Sequence, residues 1–505
     1  MSAFRKDLTA AAAAAALFTA AVVVAYTAYD HPHQKLSLWW PPMYAHLRPH
    51  LGPGTPAALA VAVLAVRFGP RLAARLPWRA LLWAGWGSAM AWSWSLALVD
   101  GWHRGVAQRL TTAYEYLQSV GDVHDVGATL RTFTDHILMN SPDNWPAHVA
   151  GHPPGALLTF VGLDRIELGG GAWAAAFVIT VASSSAAAVL VALRALCGEA
   201  TARRAAPFTV LAPAVVWTAV SADGYFAGVT SWALALLALA ATRTARVPRA
   251  AALGSGLLFG LTCYLSYGLV LTGVVAVAML LIARTARPAP YVLLGMLPWF
   301  AAFTAAGFWW YDGYSTLVVR YYQGAAAHRP YGYFVWANLA ANVPVVGLAS
   351  AAGMRRAGAA LPGAVRALAQ RRPAPPTALA AAGSPSSRAG GARPGGTDGT
   401  GATSAAGRAP VAVATPGPRQ VEAALPAGRL TGRPALAVLV AAAACAVLAA
   451  DLSGMSKAET ERIWLSFTLW LIPACALLPR RSVRWWLVAQ AALALAVNHL
   501  LFTGW

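Results

Sequence analysis

Charge is what this sequence most lacks. Only 11% of its 505 residues are Asp, Glu, Lys or Arg, against roughly 25% in ordinary soluble domains, and just 18 are acidic. A typical soluble fold is excluded. Cysteine is scarce too: Cys197, Cys263, Cys445 and Cys475 lie in or beside apolar runs without CxxC spacing, so neither a disulfide framework nor a cysteine zinc site is indicated. No HExxH pattern and no internal repeat occurs. What is abundant is apolar sequence, 58% of residues, with a mean hydropathy of +0.54. It falls in separate runs near the ~20 residues a helix needs to cross a bilayer.

The expected fold is therefore an all-α polytopic membrane protein. Apolar runs at 9–29, 56–74, 79–99, 172–193, 205–220, 226–242, 251–267, 269–283, 291–309, 334–353, 434–450, 463–478 and 484–502 give about 13 transmembrane helices. The net charge of +20 would suit nucleic acid, but the bases cluster at the ends of these runs, where they orient a membrane protein. Alternating the spans from a cytoplasmic N-terminus puts 28 of 38 bases inside and 14 of 18 acids outside, as the positive-inside rule requires. The expected location is the plasma membrane, with lipids as partners and no nucleic acid. The first run ends in Ala25-Tyr26-Thr27-Ala28, a pattern compatible with signal cleavage that would leave the remaining topology unchanged.

Four regions follow: N-terminal spans (1–78), a membrane core (79–354), a linker (355–433) and a three-span tail (434–505). The linker is rich in Ala, Gly, Pro, Ser, Thr and Arg. With almost no bulky apolar residues it cannot bury a core, so it reads as disordered and cytoplasmic, suited to anionic headgroups.

Polar chemistry concentrates in the long external loop 100–153, which holds Glu115, Asp122, Asp125, Asp135, Asp143 and five histidines. Long loops in compact proteins are usually functional. Thr111–Leu117 has the pattern of an interfacial amphipathic helix, with Tyr114 and Tyr116 flanking Glu115, the acid best placed to face a site. Asp122 and Asp125 sit in a turn-like stretch, where a locally satisfied carboxylate is equally reasonable. The loop ends with Trp145, His148 and His152, then Pro153 and Pro154 starting a helix whose N-terminus favours anions. Gly151 and the prolines prevent one continuous helix across His148 and His152, which argues against zinc.

His152-Pro153-Pro154-Gly155 after an acidic loop, with Asp223-Gly224-Tyr225-Phe226 at a later external turn, resembles the glycosyltransferase C superfamily, including lipid A aminoarabinose transferases and protein O-mannosyltransferases. The resemblance covers residues 80–345, with further support from Glu459-Thr460-Glu461-Arg462-Ile463-Trp464. Two extra spans precede the matching region here, and the place of the usual acidic motif reads Ala113-Tyr114-Glu115-Tyr116. The resemblance implies a polyprenyl-phosphate sugar as donor and a cell-envelope glycan, lipid or protein as acceptor. It implies a carboxylate base, first Glu115, then Asp122, Asp125 or Asp223. Cations for the phosphate would be His152, Arg320, His328, Lys457 or Arg462, and substrate contacts would come from Tyr114, Tyr116, Trp145, His148 and Asp223. A divalent metal is unsupported. The Ala/Arg/Pro-rich composition looks actinobacterial. Two other readings remain open: a lipid or glycan flippase or transporter, and a noncatalytic subunit of envelope biogenesis. No Asp, Glu, Lys or Arg falls in the middle of any span, which argues against an ion-coupled carrier.

Overall fold

Long runs of Ala, Leu and Val in apolar surroundings satisfy their backbone polar groups most readily as helices. The computed structural model of the protein, which describes residues 3–370 and 429–503, is 77% helical. Five helices are long and apolar enough to cross a membrane: α1 (Ala3–Thr27), α2 (Thr55–Arg75), α3 (Gly171–Cys197), α4 (Ala222–Ala241) and one at Gly432–Leu452. Two bent pairs, Ala289–Ala305 with Trp310–Gln323 (74°) and Tyr331–Val346 with Leu348–Ala369 (109°), raise the number to seven if each is one span. The run at 205–220 is not a single helix. It stops at Val210 and resumes for one turn at Val215–Thr218, around Pro213, which lacks an amide donor. The run at 463–478 is a chain of short turns.

The all-α expectation has one exception among the described residues. Ala45–Leu47 pairs antiparallel with Leu501–Thr503, tying the segment after α1 to the end of the last helix, Val483–Leu500. Residues 355–369, expected in the linker, instead continue helix Leu348–Ala369. Arg355 and Arg356 both grip the fully buried Asp7 of α1, at 2.6 Å each. Residues 371–428 lie outside the described residues.

Helices approach closely where glycine allows it. A Cβ on Gly228 of α4 would lie 2.5 Å from the Val181 carbonyl of α3, and one on Gly256 only 2.0 Å from that of Val292. Small residues at such crossings are what helix packing in lipid uses in place of the hydrophobic effect.

Candidate functional site

Two stretches of loop 100–153 converge with a segment more than 300 residues further on. In the loop, Thr112–Glu115 is not the expected helix. Glu115 is extended and begins a 3₁₀ turn at Tyr116–Ser119, which turns its carboxylate inward and buries it. The second segment is the one-turn helix Ala147–Ala150, which carries the buried His148. Pro154 then opens the helix Pro154–Arg165, with Pro153 as its cap. Gly155 lets that helix press on the Tyr264 carbonyl, which a Cβ would approach to 2.6 Å. In the third segment, Ala458 and Glu459 both have positive φ, 71° and 61°. Such left-handed turns at non-glycine residues cost on the order of 1–3 kcal/mol each and concentrate at functional sites. They aim Glu459 and Arg462 at the other two segments.

The result is a buried polar cluster. Nδ1 of His148 lies 3.0 Å from Oε2 of Glu115, and its Nε2 lies 2.9 Å from an Nη of Arg462. Guanidinium only donates, so Nε2 is the accepting nitrogen and the ring proton sits on Nδ1, facing Glu115. Arg462 also donates to Asp223, which stands in the first turn of α4, and to Glu459 at 3.0 Å. Burial works against the Arg462 charge, but Asp223, Glu459 and Glu115 outweigh it and hold the guanidinium firmly protonated. Glu459 reaches Arg329 at 3.7 Å, and Arg329 is buried. Burying this many charges is costly unless they are mutually paired.

His152 donates from Nδ1 to the His148 carbonyl at 2.7 Å. Burial pushes its pKa down to about 4, so at neutral pH the ring is uncharged and its Nε2 offers a lone pair. That suits accepting a hydrogen bond better than gripping a phosphate. Tyr116 is fully buried, stacked on Phe160 and edge-on to His152. It props the histidines from behind and does not present a face to solvent.

Other sequence-derived candidates lie elsewhere. Asp125 caps the helix Val126–Thr132, accepting from Gly127 and Ala128 at 2.7 and 3.1 Å, and these amide bonds hold its carboxyl below the usual range. Asp122 is exposed beside it. Trp145 packs on Phe133 and donates to that residue's carbonyl. Among the described residues, no hydrogen bond or ion pair joins Arg320 to the cluster. Lys457 is spent on the Ala326 carbonyl. Tyr114 is exposed at the rim, its carbonyl accepting from the His148 amide.

Sequence reasoning missed the roles of Arg329, Glu459 and Glu461. The Glu-Thr-Glu-Arg run before an apolar stretch was the available signal for the last two; nothing local marks Arg329. Along the helix Pro154–Arg165 that follows His152, a cavity of about 400 Å³ is lined mainly by apolar residues, among them Gly155, Leu158, Trp299 and Phe303. Its polar edge is the Thr159–Tyr225 hydroxyl pair, 3.3 Å apart. Among the described residues no group of three or more His, Cys, Asp or Glu is arranged to hold a metal ion. Comparison with family models, with curated proteins and with solved structures finds no match.

Proposed function

We propose that the chain is a polytopic membrane glycosyltransferase that moves a sugar from a polyprenyl phosphate to a hydroxyl of a cell-envelope acceptor. In this reading its thirteen apolar runs span or enter the membrane, and loop 100–153 lies on the external face. The observation that carries the proposal is a buried acid–histidine–arginine cluster together with an apolar cavity along the helix that follows His152. The two parts match the two halves of a lipid-linked donor: a polar headgroup and an aliphatic chain.

Glu115, with His148 Nδ1 3.0 Å from its carboxylate, takes the proton of the acceptor hydroxyl. Arg462 receives the departing phosphate, exchanging Glu459 for a phosphate oxygen while Asp223 keeps the guanidinium oriented. His152, neutral, offers its Nε2 as a hydrogen-bond acceptor to the substrate. Glu115→Gln preserves shape and removes basicity. It should lower turnover by about 100-fold or more with donor affinity nearly unchanged, measured as loss of polyprenyl-phosphate sugar in membranes overexpressing the chain. Near-normal turnover in that variant would remove Glu115 as the base. Abolition by Asp122→Asn or Asp125→Asn instead would place the base in the following turn.

A further inference from the structure

We propose that residues 36–47, the segment following α1, form a strap along one side of the cluster, and that Tyr44 on this strap contacts a carbohydrate ligand together with Tyr114. The strap is anchored to the cluster's own charged residues. Arg329 donates to the carbonyls of Leu36 and Ser37 at 3.2 and 3.1 Å while facing Glu459. Glu461, adjacent to Arg462 in sequence, accepts the Tyr44 amide at 2.9 Å. Pairing of Ala45–Leu47 with Leu501–Thr503 fixes the far end. With both ends of the strap held, the half-buried Tyr44 phenol lies within electrostatic reach of Glu459, Tyr114, Arg329 and Arg462.

Beside the strap the chemistry suits a polyhydroxy ligand. Three carboxylates, Glu115 beside His148 and Asp223 and Glu459 beside Arg329 and Arg462, stand against two guanidinium groups, so acceptors outnumber cations in the cluster. Those acceptors suit hydroxyl donors. Two tyrosines at the rim add what a sugar ring also needs, a flat apolar face beside a hydrogen-bonding tip. This deepens the glycosyl-transfer reading, since it rests on the same cluster, yet binding can be measured apart from turnover.

The test is saturation-transfer NMR on the full chain in lipid nanodiscs. The probes are methyl α-mannopyranoside, methyl α-glucopyranoside and methyl α-arabinofuranoside. At least one should receive saturation on its ring protons, falling on the order of fivefold in Tyr44→Ala, the scale of one lost aromatic contact, and recovering in Tyr44→Phe. Tyr114→Ala, which alters an exposed side chain, should show the same fall and covers the case in which Tyr44→Ala folds poorly. No transfer to any probe, or undiminished transfer in both alanine variants, overturns the proposal. Glu115→Gln separates it from the reading it rests on: if that variant keeps turnover while sugar contact still depends on Tyr44, the catalytic assignment fails and the strap inference stands.

Discussion

At the scale of single residues, Glu461 shows how burial and chemistry compete. One carboxyl oxygen accepts the Tyr44 amide, and the other is buried without a hydrogen-bond partner. Burial pushes its pKa up to about 7, helped by the nearby Glu459. A carboxyl whose folded pKa is raised binds its proton more tightly folded than unfolded, so the fold loses stability as pH climbs from the ordinary carboxyl range through 7. The melting temperature should therefore fall between pH 5 and pH 8. In Glu461→Gln, which keeps the acceptor for Tyr44, that fall should shrink by an amount equivalent to on the order of 1–3 kcal/mol. An identical pH profile in the two proteins would show that Glu461 is not the group responsible. The sequence marked Glu115 and His148 in the polar loop, and Asp223 and Arg462 beside apolar runs, and the fold brings all four together. It could not separate them from Asp122, Asp125, Trp145 and Arg320, because a side chain's local pattern carries no record of which distant segment meets it.

At the scale of elements, periodicity and length located the helices well but not their breaks. The bend of 109° between Tyr331–Val346 and Leu348–Ala369 occurs at Gly347, whose φ of 81° no ordinary side chain adopts readily. Apolar composition runs straight through it. Helix crossings depend on glycine in the same concealed way. Gly256→Leu must push the Val292 backbone aside and should destabilise by about 1–3 kcal/mol, the usual range for overpacking. Gly273→Leu, whose Cβ position meets nothing within 4 Å, serves as the control. Thermal unfolding of the two in one detergent checks the difference; equal melting temperatures would mean that the Gly256 crossing is not tightly packed.

At the scale of the whole molecule, orientation rests on the 28-to-10 division of bases across the proposed membrane. In a cysteine-free version, single cysteines at 140 and 315 should react with an impermeant thiol reagent on intact cells, and one at 390 should not. Labelling at 390 would reverse the topology. By itself the sequence determined the helical class, the approximate place of most helices and the polar loop, because these follow from local hydrophobicity and from the need of backbone groups in apolar surroundings to bond within their own segment. Only the tertiary structure decided that Arg329 and Glu459 complete the cluster, that Tyr116 is a buried prop, and that the segment after α1 is strapped to the site. Most of those outcomes depend on contacts between residues far apart in sequence, such as Tyr44 with Glu461 and His148 with Arg462. Burial makes such pairings obligatory, since a charge taken from water must find a partner, but which partner it finds is settled by how the helices pack.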